Sequence, residues 1–283
     1  MNTFWKVLVS IGVLSLFFLV FILLIFVFSQ GLEFSGFGAN EVRIIPVKGL
    51  ITMEGCGGCL LSGISQCAQV PVIKKQLSDA EKDPTVAAVM LDINSGGGGV
   101  VASRELMRAV RDFDKPIVCW IGDVGASGAY YAASACDYVM ADRNSFTGSI
   151  GVISEVLHYY DFMEEWGFNV TVIKAGDTKD VGSPYRPMTQ EEYDEFSRKV
   201  DLVYIDFVRD VAENRNLSFE YVEEVSQGRL FLGSEAAEIG LIDECGGRDD
   251  AILKASELAG VKGEPYVNEH VGSVSFWDLF FSS

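Results

Sequence analysis

Apolar residues fall into distinct patterns along the chain, and each predicts a different element. Residues 7–28 run without a charge for 22 positions. As a helix that run would reach about 33 Å, the thickness of a bilayer core. Residues 86–93 form a continuous apolar run of strand length, the pattern of a parallel strand buried on both faces. Residues 42–47, 116–121, 138–141, 150–154 and 170–173 are predicted as further strands. Val72, Ile73, Gln76, Leu77 and Ala80 recur at helical spacing, and Asp83-Pro84 stops that helix. Helices are also predicted over about 100–113, 125–135, 159–166, 218–226, 234–239 and 249–258, with short elements at 230–231 and 241–242. Thr189, followed by Glu191 and Glu192, caps a long helix to about Arg215. Residues 52–69, with Gly55, Cys56, Gly57, Gly58, Cys59 and Cys67, read as an irregular loop. Strands alternating with helices make an α/β domain with a mostly parallel sheet. The expected organisation is an anchor over 1–29, a Gly- and Ser-rich linker over 30–41, one domain over 42–260 and an aromatic tail over 261–283.

Composition narrows the function. The 283 residues are 49% hydrophobic, which excludes global disorder. With 40 Asp and Glu against 22 Lys and Arg, the net charge is −18. A polyanion lacks the basic footprint of a nucleic-acid binder, so that class is set aside. Trp5 suits the interfacial end of a span, and Phe26-Val27-Phe28-Ser29-Gln30 is a poor cleavage site, so the span reads as a retained transmembrane helix. Lys6 precedes it and no base follows until Arg43, which places the N-terminus in the cytoplasm and the rest outside. There a local disulfide among Cys56, Cys59 and Cys67 is allowed; a zinc site would need a fourth ligand, and none lies nearby. Cys119 and Cys136 fall in or beside an apolar strand and read as core. The stretch 274–281 is aromatic and reads as docking on its own domain, with occupation of a substrate groove as a sharper hypothesis.

Two segments could carry chemistry. Asn94-Ser95-Gly96-Gly97-Gly98-Gly99 follows the buried strand, where glycines let backbone N–H groups approach a ligand. It could be a phosphate loop, an oxyanion hole or a plain turn. A Walker loop would need a lysine where Val100 stands, and a dinucleotide loop is not excluded by spacing. Gly125-Ala126-Ser127-Gly128-Ala129-Tyr130-Tyr131 holds a serine among small residues, either an exposed nucleophile or a tightly packed helix. A serine nucleophile needs a base. His158 sits in an aromatic context and His270 in the tail, and both read as structural or exposed. Lys179 is a candidate, because burial lowers a lysine's pKa toward neutrality, although spacing alone makes it a loop lysine.

Taken together, these segments resemble the signal peptide peptidase A family over residues 42–258. Asn94-Ser95-Gly96-Gly97-Gly98 is similar to that family's Ser-Pro-Gly-Gly turn, with Gly96 in place of proline. The segment 126–131 resembles the nucleophile segment, Thr147-Gly148-Ser149-Ile150-Gly151-Val152 the following block, and 174–184 the base-bearing loop. The resemblance implies a crotonase/Clp protease-like fold and a membrane-anchored serine endopeptidase. It implies Ser127 as nucleophile, Lys179 as general base, Ser149 as the hydroxyl orienting the lysine, and the Gly97 N–H in the oxyanion hole. It also implies a homo-oligomer in which Ser and Lys can come from neighbouring subunits, acting on hydrophobic peptides such as cleaved signal peptides, with no metal or organic cofactor. A stomatin-directed membrane protease with the same dyad and an inactive crotonase-fold scaffold are the alternatives. A crotonase-type acyl-CoA enzyme fits poorly with an external domain.

Overall fold

A computed structural model describes residues 15–21, 39–55 and 66–269. The chain divides into two compact units, Met1–Ala39 and Asn40–Ser283. In the first, residues 15–21 are helical (α1) and exposed. Among the described residues no helix is long and apolar enough to cross a membrane, and most of the 7–28 run lies outside them. Cys56, Cys59, His270 and the stretch 274–281 also lie outside the described residues.

The second unit is built on an eight-stranded sheet. Its main path runs β10 (Tyr266–Glu269), β1 (Glu41–Lys48), β4 (Val86–Ser95), β5 (Ile117–Ala126), β6 (Tyr138–Ala141) and β9 (Glu244–Cys245), parallel throughout. The end of β5 also pairs in parallel with β7 (Phe146–Gly148), which pairs antiparallel with β8 (Leu230–Leu232). A separate parallel pair joins β2 (Leu50–Thr52) to β3 (Cys67–Gln69).

β4 alternates between two cores. Val89, Leu91 and Ile93 face one cluster, shared with helices α2 (Val70–Lys82), α3 (Val100–Arg111) and α4 (Gly128–Ala133). Ala88 and Met90 face the other, shared with α9 (Arg248–Leu258). Burial on both faces is why this strand is apolar at nearly every position. Lys115 secures the junction below it, its ammonium donating to the carbonyls of Ala80, Asp83 and Val86 at 2.8, 2.6 and 2.9 Å.

Several expected elements differ. The predicted helix over 125–135 begins only at Gly128, because Gly125 and Ala126 continue β5 and pair with Thr147 and Gly148. The expected strands at 150–154 and 170–173 do not form. No residue from 151 to 191 is buried. The apolar pattern there is real, but Ile153, Val170, Val172 and Ile173 meet no neighbouring strand and stay exposed. A pleated segment needs a partner for its backbone groups, and side-chain pattern cannot supply one. This segment carries one short helix, α5 (Tyr160–Glu165), with no buried residue. It ends at α6 (Gln190–Arg215), where Thr189 and Glu192 form the expected capping box. Helices α7 (Phe219–Val225) and α8 (Gly233–Glu238) follow. The loop expected over 52–69 is bounded by the β2–β3 pair, and Cys67 is disulfide-bonded to a partner outside the described residues. Cys119 and Cys136 are free and buried.

Candidate active site

Parallel α/β sheets bind ligands beyond the carboxyl ends of their strands. Three strand ends meet here. Ser95, closing β4, is in register with Gly125, and Ala126, closing β5, is in register with Gly148, closing β7. The residues that follow, Gly96 to Gly98, Ser127 and Ser149, therefore converge. Gly96, Gly98, Ser127, Gly128 and Ser149 all line one cleft of about 640 Å³.

Ser127 and Ser149 both leave their strands with strained backbones. Ser127 has φ 52° and ψ −125°, and Ser149 has φ 50°. The Ser127 N–H donates to the Gly148 carbonyl at 2.8 Å, and its carbonyl accepts from Tyr131 N–H at 2.9 Å at the start of α4. Ser149 N–H donates to the Arg229 carbonyl at 2.7 Å. Gln227, with φ 52°, lines the same cleft. The other positive-φ non-glycine among the described residues, Asn216, is simply the left-handed C-cap of α6. Strain of about 1–3 kcal/mol per residue persists where surrounding structure enforces it, commonly at functional sites.

The glycine turn is held from two directions. Gly97 carbonyl accepts from Ile51 N–H at 3.0 Å, and Gly99 N–H donates to the Ile51 carbonyl at 3.0 Å. Gly97 N–H donates to Ser95 Oγ at 3.1 Å. The Gly97 N–H, expected to line an oxyanion hole, is thus engaged by a side-chain acceptor. All peptides are trans among the described residues, so the Gly98 N–H points opposite to the Gly97 carbonyl, away from β2. Neither Gly98 N–H nor Gly128 N–H has an acceptor among the described residues. A Cβ built on Gly128 would lie 3.3 Å from Gly98 N, which brings the two amides into one neighbourhood beside Ser127. Gly97 contributes differently. At φ +100°, its missing Cβ would stand 2.7 Å from Gly128 N and 3.0 Å from Ser127 Cβ. Gly128 is required in turn, since a Cβ there would meet Ser103 Oγ at 2.0 Å.

The opposite wall is α3 and α6. Val100, Val200, Val203 and Phe207 make it apolar, and Arg104 and Asp206 make it charged at one end. Arg104 reaches Asp206 at 3.4 Å and Asp210 at 3.8 Å. The Tyr131 hydroxyl donates to Asp210; burial, and then that carboxylate, push the phenol pKa upward, so it stays protonated.

Lys179 is not brought to Ser127 within one chain. It is exposed and absent from the cleft lining. The burial expected for a lysine base is therefore not seen at Lys179 in this chain. Its loop is nonetheless anchored. Arg186 donates to both oxygens of Asp180 at 2.9 and 3.0 Å and to both oxygens of Glu192 at 2.9 and 2.6 Å. Lys174 adds a bond to Asp180. The Arg186 guanidinium, with Lys174 second, holds the Asp180 carboxyl well below its usual range. The same guanidinium, with the Thr189 N–H second, lowers Glu192 to about 2. These clamps tie the lysine loop to the capped start of α6. His158 is exposed and stacks edge-on with Tyr160.

A largely parallel sheet with its cleft at these strand ends fits the Clp protease-like class of α/β folds. The model of peptidase family S49 matches residues 109–262, more than half of the chain. A protein of Methanocaldococcus jannaschii named "Putative protease MJ0651" is 44% identical over 193 residues, covering 68% of this chain and 62% of the relative. "Putative signal peptide peptidase SppA" of Enterococcus faecium is 34% identical over 208 residues, covering 71% and 60%. "Serine protease SPPA, chloroplastic" of Arabidopsis thaliana is 32% identical over 227 residues, covering 79% and 33%. The chain spans about three-fifths of the length of the first two relatives and a third of the last. It belongs to peptidase family S49, the signal peptide peptidase A family.

Proposed function

We propose that the protein is a membrane-anchored serine endopeptidase acting through Ser127 and Lys179 on hydrophobic peptides such as cleaved signal peptides. The observation that carries the reading is the strained Ser127 in a cleft with two amides, Gly98 N–H and Gly128 N–H, that have no acceptor among the described residues. Ser127 Oγ attacks the scissile carbonyl and Lys179 Nζ takes its proton. The two amides receive the oxyanion, and Lys179 returns the proton to the leaving amine. Water then releases the acyl group by the same steps. Ser149, which follows Gly148 as Ser127 follows its register partner Ala126, orients the lysine by a hydrogen bond.

A lysine base works only when desolvated. Lys179 is exposed in one chain, on a segment whose apolar residues Leu157, Phe162, Trp166, Phe168 and Ile173 are also exposed. Both features fit a homo-oligomer in which this segment packs on a neighbour and delivers Lys179 to the neighbour's Ser127. The family membership supports the peptidase, and the uncharged run 7–28 supports an anchor with the catalytic domain outside. The disulfide at Cys67 suits an oxidising compartment.

Complementation tests the arrangement. Ser127→Ala and Lys179→Ala proteins should each be inactive on a fluorogenic hydrophobic peptide. Co-expressed, they should regain about a quarter of wild-type turnover, because half the serines meet half the lysines across a head-to-tail interface. No recovery in assembled mixtures would contradict a shared site, and activity surviving Ser127→Ala would contradict the serine mechanism.

A further inference from the structure

We propose that Ser95 is a positioning residue for the oxyanion hole, holding the Gly98 amide toward the reacting carbonyl through two hydrogen bonds made by one buried hydroxyl; this rests on the peptidase reading above. Ser95 is buried, and its Oγ donates to the Gly49 carbonyl at 2.6 Å while accepting from Gly97 N–H at 3.1 Å. It thereby links the end of β1 to the glycine turn after β4. Four consecutive glycines have no side chains with which to fix their own conformation. Nothing within 4 Å of a Cβ position at Gly96 restrains that residue. The turn is therefore defined from outside, by Ile51 on the Gly97 carbonyl and Gly99 N–H and by Ser95 on the Gly97 N–H.

These contacts set two successive amides in different roles. Gly97 N–H is turned back to Ser95, and Gly98 N–H is left facing the cleft. Without the Ser95 hydroxyl, the Gly97 N–H loses its buried acceptor and the Gly49 carbonyl loses its donor. The Gly96–Gly97 peptide is then free to rotate, and Ile51 alone is left to hold the next peptide, which carries the Gly98 N–H. Ser95 is not among the residues lining the cleft, so the loss should fall on the transition state and not on ground-state binding.

The test uses full-length protein in detergent micelles, with Ser95→Ala and the near-isosteric Ser95→Cys. Turnover of the fluorogenic peptide is measured together with inhibition by a peptide aldehyde of the same sequence. Ser127 Oγ adds to the aldehyde carbon, the carbonyl π pair moves to oxygen, and the serine proton passes to the base. No group leaves, so affinity reports how well the oxyanion is held. Removing an oxyanion donor outright costs about 10²–10³ in kcat, so misaligning one should cost about 10- to 100-fold. Ser95→Ala is expected to lose that factor in kcat with KM within about threefold, and to lose aldehyde affinity in proportion. Ser95→Cys should fall between it and wild type. A KM change without a kcat change, or aldehyde affinity unaltered while kcat falls, overturns the proposal. So does full turnover by folded Ser95→Ala, or by Ser95→Cys where the alanine variant fails to fold. Turnover that survives Ser127→Ala overturns the peptidase reading, and this proposal with it. Turnover abolished by Ser127→Ala yet indifferent to Ser95 overturns this proposal alone.

Discussion

Two adjacent glycines in the turn after β4 should respond oppositely to the same added methyl group. At Gly97 an alanine Cβ would lie 2.7 Å from Gly128 N, 3.0 Å from Ser127 Cβ and 3.1 Å from the Ala126 carbonyl, on a backbone with φ +100°. The first distance is shorter than real Cβ contacts allow, and two of the three neighbours are main chain. The strain is about 1–3 kcal/mol, which for a domain of this size lowers Tm by about 3–10 °C. The methyl also stands in front of the Gly128 amide, so an oxyanion loses a donor and kcat should fall about 10²–10³-fold. At Gly96 the same Cβ meets nothing within 4 Å and φ is outside the left-handed region. There alanine restricts the unfolded chain and should stabilise by about 0.4–1 kcal/mol, with turnover unchanged. The assay is peptide hydrolysis and thermal melting of both variants beside Ser127→Ala. Gly97→Ala retaining turnover within threefold of wild type, or Gly96→Ala losing as much as Gly97→Ala, would refute the placement of the oxyanion site.

Lys115→Met removes an ammonium that serves three main-chain carbonyls at the foot of β4, and should cost about 2–3 kcal/mol, read as a Tm fall of about 5–10 °C with KM unchanged. Thr189→Ala deletes the N-cap of α6 and should cost about 1 kcal/mol in thermal melting, while Thr189→Ser should retain most of it. Asp180 and Glu192 have folded pKa values depressed by Arg186, so their contribution is complete above about pH 4.5 and is lost as pH falls toward 2. Hydrogen exchange over residues 174–192, corrected for intrinsic rates, should show protection lost in that window; loss beginning near pH 6 would argue against the clamp.

The legible parts of the fold were those with a local cause. The apolar run of β4 reports burial on two faces, and Thr189 with Glu192 reports a helix start wherever the chain goes next. Within 151–191 the expected helix forms as α5, but the β-branched residues at 170–173 carry a strand pattern without a strand, because pairing depends on a neighbour that this chain does not place there. The small residues Gly125 and Ala126 suit a helix as well as a strand, and only their pairing with β7 makes them strand. β10 is short and polar on average, and its existence follows from β1 offering an edge over residues 41–44. Ser127, Ser149 and the glycine turn could be found through motif resemblance, and the register of β4, β5 and β7 brings them together. That Gly97 N–H meets Ser95 while Gly98 N–H meets no acceptor among the described residues is invisible in a run of identical residues. Ser95 belongs to the recognised motif, but its contact with Gly49, 46 positions away, left no trace in the local sequence.

The central claim, that Ser127 is an activated nucleophile, is tested most directly by covalent capture. A fluorophosphonate exchanges its fluoride for a serine oxygen, leaving a mass increment that peptide mapping can place. Wild-type protein should carry that increment on Ser127, with peptide hydrolysis falling in step with labelling, and Ser127→Ala should carry none. Stoichiometric labelling of another residue, or hydrolysis that persists when Ser127 is fully modified, would contradict the account.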